Sequence, residues 1–233
     1  DIISDRLATL AELPNLTSGL LVVSASSLQH RVVPRDWING QPFNLGTTDK
    51  YDLEGFQKRL IERGYINVPQ VMDHGDFAVR GSIIDVFPMG VKSPFRIDLF
   101  DDEIESLRIF DTESQRSTES VDEIRLLPAR ETPLDEESVN RFRRNWRLNF
   151  DGLATKCSIF NEVSEGLAPP GVEYYLPLFF NELSTLFDFL PVSATVIMDE
   201  GIEEAAQKFE DSIKERHDQL SHDTENPILP PEK

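Results

Sequence analysis

Ser82-Ile83-Ile84-Asp85-Val86-Phe87, followed by Phe95-Arg96-Ile97-Asp98-Leu99-Phe100 and Ile104-Glu105-Ser106-Leu107-Arg108-Ile109-Phe110, decides how the middle of this chain folds. Each run is short, rich in β-branched and aromatic residues, and bounded by turn formers, which is the signature of a strand. Pro88-Met89-Gly90 and Asp101-Asp102-Glu103 supply the turns, so neighbouring strands are expected to pair as an antiparallel meander. Glu123 to Leu127 reads as a further strand. Just upstream, Leu53, Phe56, Leu60 and Ile61 recur at helical spacing. Asp52 is placed to cap that helix and Gly64 to stop it. One helix beside several antiparallel strands predicts an α+β domain over residues 42–128.

Outward from this centre the character changes. Ile3, Leu7, Leu10 and Ala11 form a helical stripe that ends at Leu13-Pro14. Leu20-Leu21-Val22-Val23 is a continuous apolar run, expected to be a strand covered on both faces as in a parallel α/β sheet. Residues 34–52 read as a polar linker. After Pro133, Val139, Phe142, Trp146 and Phe150 share one face of a helix, with Arg141, Arg143, Arg144 and Arg147 largely around its other sides. Those arginines fit packing, interdomain pairing or a phosphate contact. Pro169-Pro170-Gly171 breaks the chain, and Leu178 to Leu190 is apolar and partly helical. Ala194 to Met198 is a second buried-strand candidate. A polar helix over about 202–220 and an extended strap, Asn226 to Pro231, complete the pattern.

The 233 residues suffice for one large domain or two small ones. The formal net charge of −19 argues against a surface that grips nucleic acid, because neutralising phosphates requires clustered cations. Cys157 stands alone, which excludes a disulfide framework and a multi-cysteine metal site. It is expected to be packed rather than nucleophilic. The sequence contains neither a phosphate-binding loop nor a G-x-G-x-x-G cradle. His30, His74, His217 and His222 are scattered, and the last two are five apart, off the spacing that places two ligands on one helix face. Asp101-Asp102-Glu103 fits either a hard-cation site or a solvated hairpin turn. Neither a catalytic group nor a metal set emerges, and no run is long and apolar enough to cross a bilayer as a helix.

One local pattern points to binding. The strand period puts Phe95, Ile97 and Leu99 on one face and Arg96, Asp98 and Phe100 on the other. With the first set in the core, Phe100 is an aromatic on the solvent side near a guanidinium, a combination enriched in interface hot spots. Arg80, before the adjacent strand, can reach the same surface. The alternative is that Phe100 packs under a helix and Arg96 pairs with a local carboxylate.

The run from Gln70-Val71-Met72-Asp73-His74-Gly75-Asp76-Phe77-Ala78-Val79-Arg80-Gly81 through Ser82-Ile83-Ile84-Asp85-Val86-Phe87-Pro88-Met89-Gly90 and on to Asp111 resembles the module shared by UvrB and the transcription-repair coupling factors (the Mfd family). Phe87-Pro88-Met89-Gly90, Phe110-Asp111-Thr112-Glu113-Ser114-Gln115-Arg116 and Pro170-Gly171-Val172-Glu173-Tyr174-Tyr175-Leu176-Pro177 follow the Mfd wording. The resemblance extends over essentially the whole chain. It implies an α/β and α+β multidomain segment. Residues 1–41 are then part of a RecA-like unit without its phosphate loop, and 42–128 a UvrA-binding domain. Residues 129–191 are a UvrB-like subdomain, and 192–233 return to the RecA-like sheet. It also implies that Arg80, Arg96 and Phe100 contact UvrA, and that the segment itself holds no cofactor and performs no catalysis. The parent is implied to be a cytoplasmic, ATP- and Mg-dependent DNA translocase that meets RNA polymerase and DNA elsewhere. Other domains of the parent are further expected partners. The rival expectation is a UvrB-like helicase fragment that binds ATP and DNA.

Overall fold

A computed structural model describes residues 2–39, 43–223 and 225–231. The expected domain edge at 41/42 lies outside the described residues. In chain order the elements are α1 (Ile2–Glu12), α2 (Ala25–Gln29), α3 (Arg35–Asn39), β1 (Phe43–Gly46), α4 (Leu53–Glu62), β2 (Ile66–Asn67), β3 (Asp76–Arg80), β4 (Ile83–Val86), β5 (Phe95–Phe100), β6 (Glu103–Phe110), β7 (Ser117–Val121), β8 (Glu123–Leu126), α5 (Glu136–Asn149), α6 (Ser158–Ser164) and α7 (Ile202–Leu220). The chain divides into two units, residues 1–11 with 36–133 and residues 12–35 with 134–233.

The first unit is built on a six-stranded sheet of order β2-β3-β4-β5-β6-β7, antiparallel except for the β2–β3 pair. The meander thus forms as the turn residues predict. One sheet face carries Phe77, Ile84, Val86, Ile97, Leu99 and Leu107, all buried, against Phe56 and Leu60 of α4. Alternation explains this: in β5, Ile97 and Leu99 are fully or nearly buried while Phe100 is 73% exposed. Helix α4 starts and stops where its sequence dictates. The Asp52 carboxylate accepts a hydrogen bond from the Gly55 amide. Gly64 follows at φ 90°, and a Cβ there would lie 2.2 Å from Cγ of Arg130, so this position has room only for glycine.

Three differences from the sequence reading concern pairing at a distance. Residues 34–52, read as a linker, contain α3 and β1, and β1 pairs antiparallel with β8 in a separate two-stranded sheet. Phe43, Leu45, Ile124 and Leu126 of that sheet close the core. The expected strand at 123–127 therefore exists but leaves the meander, and its place at the sheet edge is taken by the polar β7, which has too few apolar residues to be read as a strand.

In the second unit, Val139, Phe142 and Trp146 of α5 are buried. Phe142, Trp146, Phe160, Val163, Tyr175 and Phe179 form an aromatic-rich core, with Trp146 and Tyr175 ring centroids 4.9 Å apart. The strap is held down: the Tyr175 hydroxyl donates to the Pro227 carbonyl at 2.7 Å, and Leu229 packs on the core. Cys157 is buried in the same core. The 178–190 stretch is helical only as 3-10 turns at 172–178 and 186–189. Helix α7 spans the expected residues and packs along α2. The strands expected at 20–23 and 194–198 are not formed. Leu20, Val22, Ile197 and Met198 are exposed, because a continuous apolar run becomes a buried strand only where strands flank it.

Candidate protein-docking face

The face of the six-stranded sheet opposite the main core is covered at one end and open at the other. Val71, Ala78, Phe87 and Phe110 form a small buried cluster over the covered end. Cross-strand register places the polar residues in rows. Ala78, Asp85, Arg96 and Arg108 are neighbours from β3 to β6, and Arg80, Ile83, Asp98 and Ser106 form the next row toward the open end. Beyond Asp98 a bulge shifts the register, and Phe100 faces Glu103 beside the Asp101-Asp102 turn.

The structure brings Arg80, Arg96 and Phe100 onto this one face, as the strand period requires, but in different states. Phe100 is exposed and does not pack under a helix. Arg80, at the end of β3, is exposed and donates from Nη2 to the Pro69 carbonyl at 3.1 Å. Arg96 is committed. Its Nε and Nη2 donate to the two oxygens of Asp85 at 2.7 and 2.8 Å, Nη1 donates to the Gln115 carbonyl at 3.2 Å, and the guanidinium lies 4.9 Å from the Phe110 ring centroid. The hydrogen bonds that Arg96 donates to the Asp85 carboxylate raise its pKa above the ordinary guanidinium value, against the opposing effect of burial. Of the two sequence readings, binding exposure therefore holds for Phe100 and local carboxylate pairing for Arg96.

The sequence reading places Asp98 on this face without a partner and does not reach Arg108. Nη2 of Arg108 pairs with Oδ2 of Asp98, which also accepts from the Ser106 hydroxyl at 2.8 Å. The available signal was a charge inside an apolar strand run, which marks a position that must be paired or wet. Asp85, 1% exposed within Ile84-Asp85-Val86, carries the same signal.

Other candidates resolve simply. The Asp101-Asp102-Glu103 segment is a hairpin turn whose Asp102 pairs with Lys50 at 3.7 Å. Among the described residues, no group of three or more His, Cys, Asp or Glu side chains could hold a metal ion. Around α5, Arg141 donates to the Phe179 carbonyl and to Glu137, Arg143 to the Ser164 carbonyl and Asn140, and Arg147 lies over the Phe160 ring. Packing and local pairing thus occupy three of the four arginines. No described helix is long and apolar enough to cross a membrane.

A mixed sheet with one core face and one half-open polar face has the anatomy of a docking module. Residues 43–131 match the family described as the UvrB interaction domain. Over its whole length the chain is 40% identical to the transcription-repair-coupling factor of Escherichia coli (strain K12) and 37% identical to that of Haemophilus influenzae, spanning 20% of each. The protein of the same name from Myxococcus xanthus is 33% identical over 92% of the chain. The chain belongs to the transcription-repair-coupling factors, as a segment spanning about a fifth of the relatives it matches.

Proposed function

We propose that this chain is the UvrA-recruiting docking segment of a transcription-repair-coupling factor, and that the open end of the six-stranded sheet is the docking face. The observation that carries the proposal is Phe100, 73% exposed on an ordered strand inside the matched domain, with Arg80 two strands away on the same face. A large aromatic held in water by a rigid strand has already lost most of its conformational freedom, so a partner gains its burial at low entropic cost. A guanidinium beside it selects for a carboxylate on the partner. Arg80, Arg96 and Phe100 form the group on which docking depends. The domain order proposed is a RecA-like part at 1–41 and 192–233, the docking domain at 42–128 and a UvrB-like subdomain at 129–191.

The same reading assigns ATP-driven translocation, with its ATP and magnesium, and the contacts to RNA polymerase and DNA to parts of the longer protein outside this chain. It places the protein in the cytoplasm and requires no cofactor for docking. Calorimetric titration of UvrA into the chain tests it. Binding that Phe100→Ala weakens by about thirtyfold, the loss of an anchor worth about 2 kcal/mol, is expected. Equal affinities for wild type, Phe100→Ala and Arg80→Ala would refute the assignment of the face.

A further inference from the structure

We propose that Arg59, Arg63 and Arg130, gathered at the C-terminal end of α4, form a receptor for a short acidic segment of a protein partner. Arg59 and Arg63 are one helical turn apart on the same side of α4. Their guanidinium carbons lie over the Phe43 ring, 4.2 and 5.7 Å from its centroid, and that of Arg59 is also 5.8 Å from the centroid of Tyr51. Phe43 is buried, while Arg59 is exposed and Arg63 half-buried, so the arginine stems roof the core and carry their charges outward. Arg130 joins them across Gly64, the residue that follows Arg63. Its stem lies against that glycine and its Nε donates to the Gly64 carbonyl at 3.0 Å. The amide of Ala129 donates to the Arg63 carbonyl at 2.8 Å, which ties this segment to the end of the helix.

Three cations brought together in this way call for an anion. Among the described residues, neither Arg59 nor Arg130 forms an ion pair, and Arg130 commits only its Nε to a hydrogen bond. Burial and the charge of Arg59 hold the Arg63 pKa below the ordinary guanidinium value, and burial does the same to Arg130. The carbonyl end of α4 attracts cations, but it offers the equivalent of about half a charge against three. Positive charge is therefore concentrated here on a chain whose net charge is −19.

The arrangement selects carboxylates. A guanidinium over an aromatic ring is partly desolvated while its outer N–H groups stay free, and those groups match the two oxygens of a carboxylate with parallel bonds. Three such heads answer two or three carboxylates on one short segment. Gripping a phosphate backbone takes a longer run of cations than this acidic chain supplies. The patch lies on the α4 side of the sheet, where Phe43 and Phe56 pack in the main core, and not on the face that carries Phe100. It therefore stands independently of the docking reading and leaves both surfaces usable at once.

The test is an NMR titration of the full 233-residue chain, labelled with nitrogen-15, against a tetraglutamate peptide capped at both ends and at low salt. The Nε–Hε resonances of Arg59, Arg63 and Arg130 are expected to move along one binding curve, while that of Arg143, turned to the Ser164 carbonyl, stays in place. Arg59→Gln with Arg130→Gln keeps part of both stems and is expected to weaken the affinity about tenfold or more, since two charged hydrogen-bonding groups are lost. Lys208→Gln with Lys214→Gln removes the same charge from exposed positions on α7, and is expected to bind within about twofold of wild type. Equal losses in the two double variants would reduce binding to net charge and overturn the proposal, as would a peptide that moves none of the three arginine resonances. An oligothymidylate with four phosphates that binds more tightly than the peptide would assign the patch to nucleic acid and overturn the acidic-segment reading. If the arginine double variant is unfolded by circular dichroism, Arg59→Gln alone, at an exposed position, is expected to lose about fivefold, and an unchanged affinity there overturns the proposal.

Discussion

Truncating Arg96 is expected to destabilise the first unit far more than truncating its partner Asp85. Arg96→Ala leaves the Asp85 carboxylate, 1% exposed, with neither its counter-charge nor the two N–H donors it accepts from. Breaking a buried pair from this side costs about 3–5 kcal/mol. Loss of the stacking on Phe110 adds about 1 kcal/mol, and the Gln115 carbonyl loses a donor worth about 1 kcal/mol more. Asp85→Ala instead leaves a guanidinium on a flexible stem that is already partly exposed and can turn to water, so about 1–3 kcal/mol is expected. Asp85→Leu with Arg96→Met is expected to lie within about 1 kcal/mol of wild type or above it. Urea unfolding measures all three. Trp37 lies in the first unit and Trp146 in the second, so fluorescence in a Trp146→Phe background reports on the unit in question. Arg96→Ala within about 1 kcal/mol of wild type, or no more costly than Asp85→Ala, would refute the argument by showing that water reaches Asp85.

Phe100→Ala should leave the urea midpoint nearly unchanged, within about 0.5 kcal/mol, because the ring is exposed; a large loss would mean that it packs in the core. Gly64→Ala should cost about 1–3 kcal/mol, since it combines a positive φ with a 2.2 Å approach to the Arg130 stem, and thermal unfolding checks it. Burial raises the Tyr175 pKa to about 12 from the ordinary 10.0, so the folded state holds the proton more tightly. The stability it contributes is full below pH 10 and is lost as pH rises toward 12; Tyr175→Phe should remove this alkaline step and cost about 1 kcal/mol at neutral pH, through loss of the bond to Pro227. The Asp111 carboxyl is held below its ordinary 3.8 by the amide and hydroxyl of Ser114, so the stability it contributes is full above that value and lost as pH falls through the lower folded one. A carbon-detected NMR titration should find its midpoint below 3.8, and a midpoint at or above that value would contradict the turn geometry.

Much of the fold was legible because its signals are local. The alternation in Phe95–Phe100 correctly separated Ile97 and Leu99 from Phe100, since the two-residue period of a strand leaves no other assignment once one face is buried. Asp52 and Gly64 bounded α4, and the 202–220 helix was read to its ends, because caps and helical spacing act within a turn or two. The resemblance over residues 70–111 extended this to the matched domain.

Only the tertiary structure decided the rest. The partner of β8 is β1, some eighty residues earlier, and nothing local distinguishes that pairing from a continued meander. Leu20–Val23 and Ala194–Met198 read as buried strands, yet burial is a property of what surrounds a segment, and none of its own residues can supply it. The alternation likewise put Arg96 and Asp98 beyond the core face without saying that Arg96 is bound to a buried Asp85 and that Asp98 pairs with the half-exposed Arg108. The sequence by itself determined which residues share a face. The difference between a buried ion pair and a half-exposed one arose from register across the strands, because an ion pair depends on distances of a few ångströms that only the assembled sheet sets.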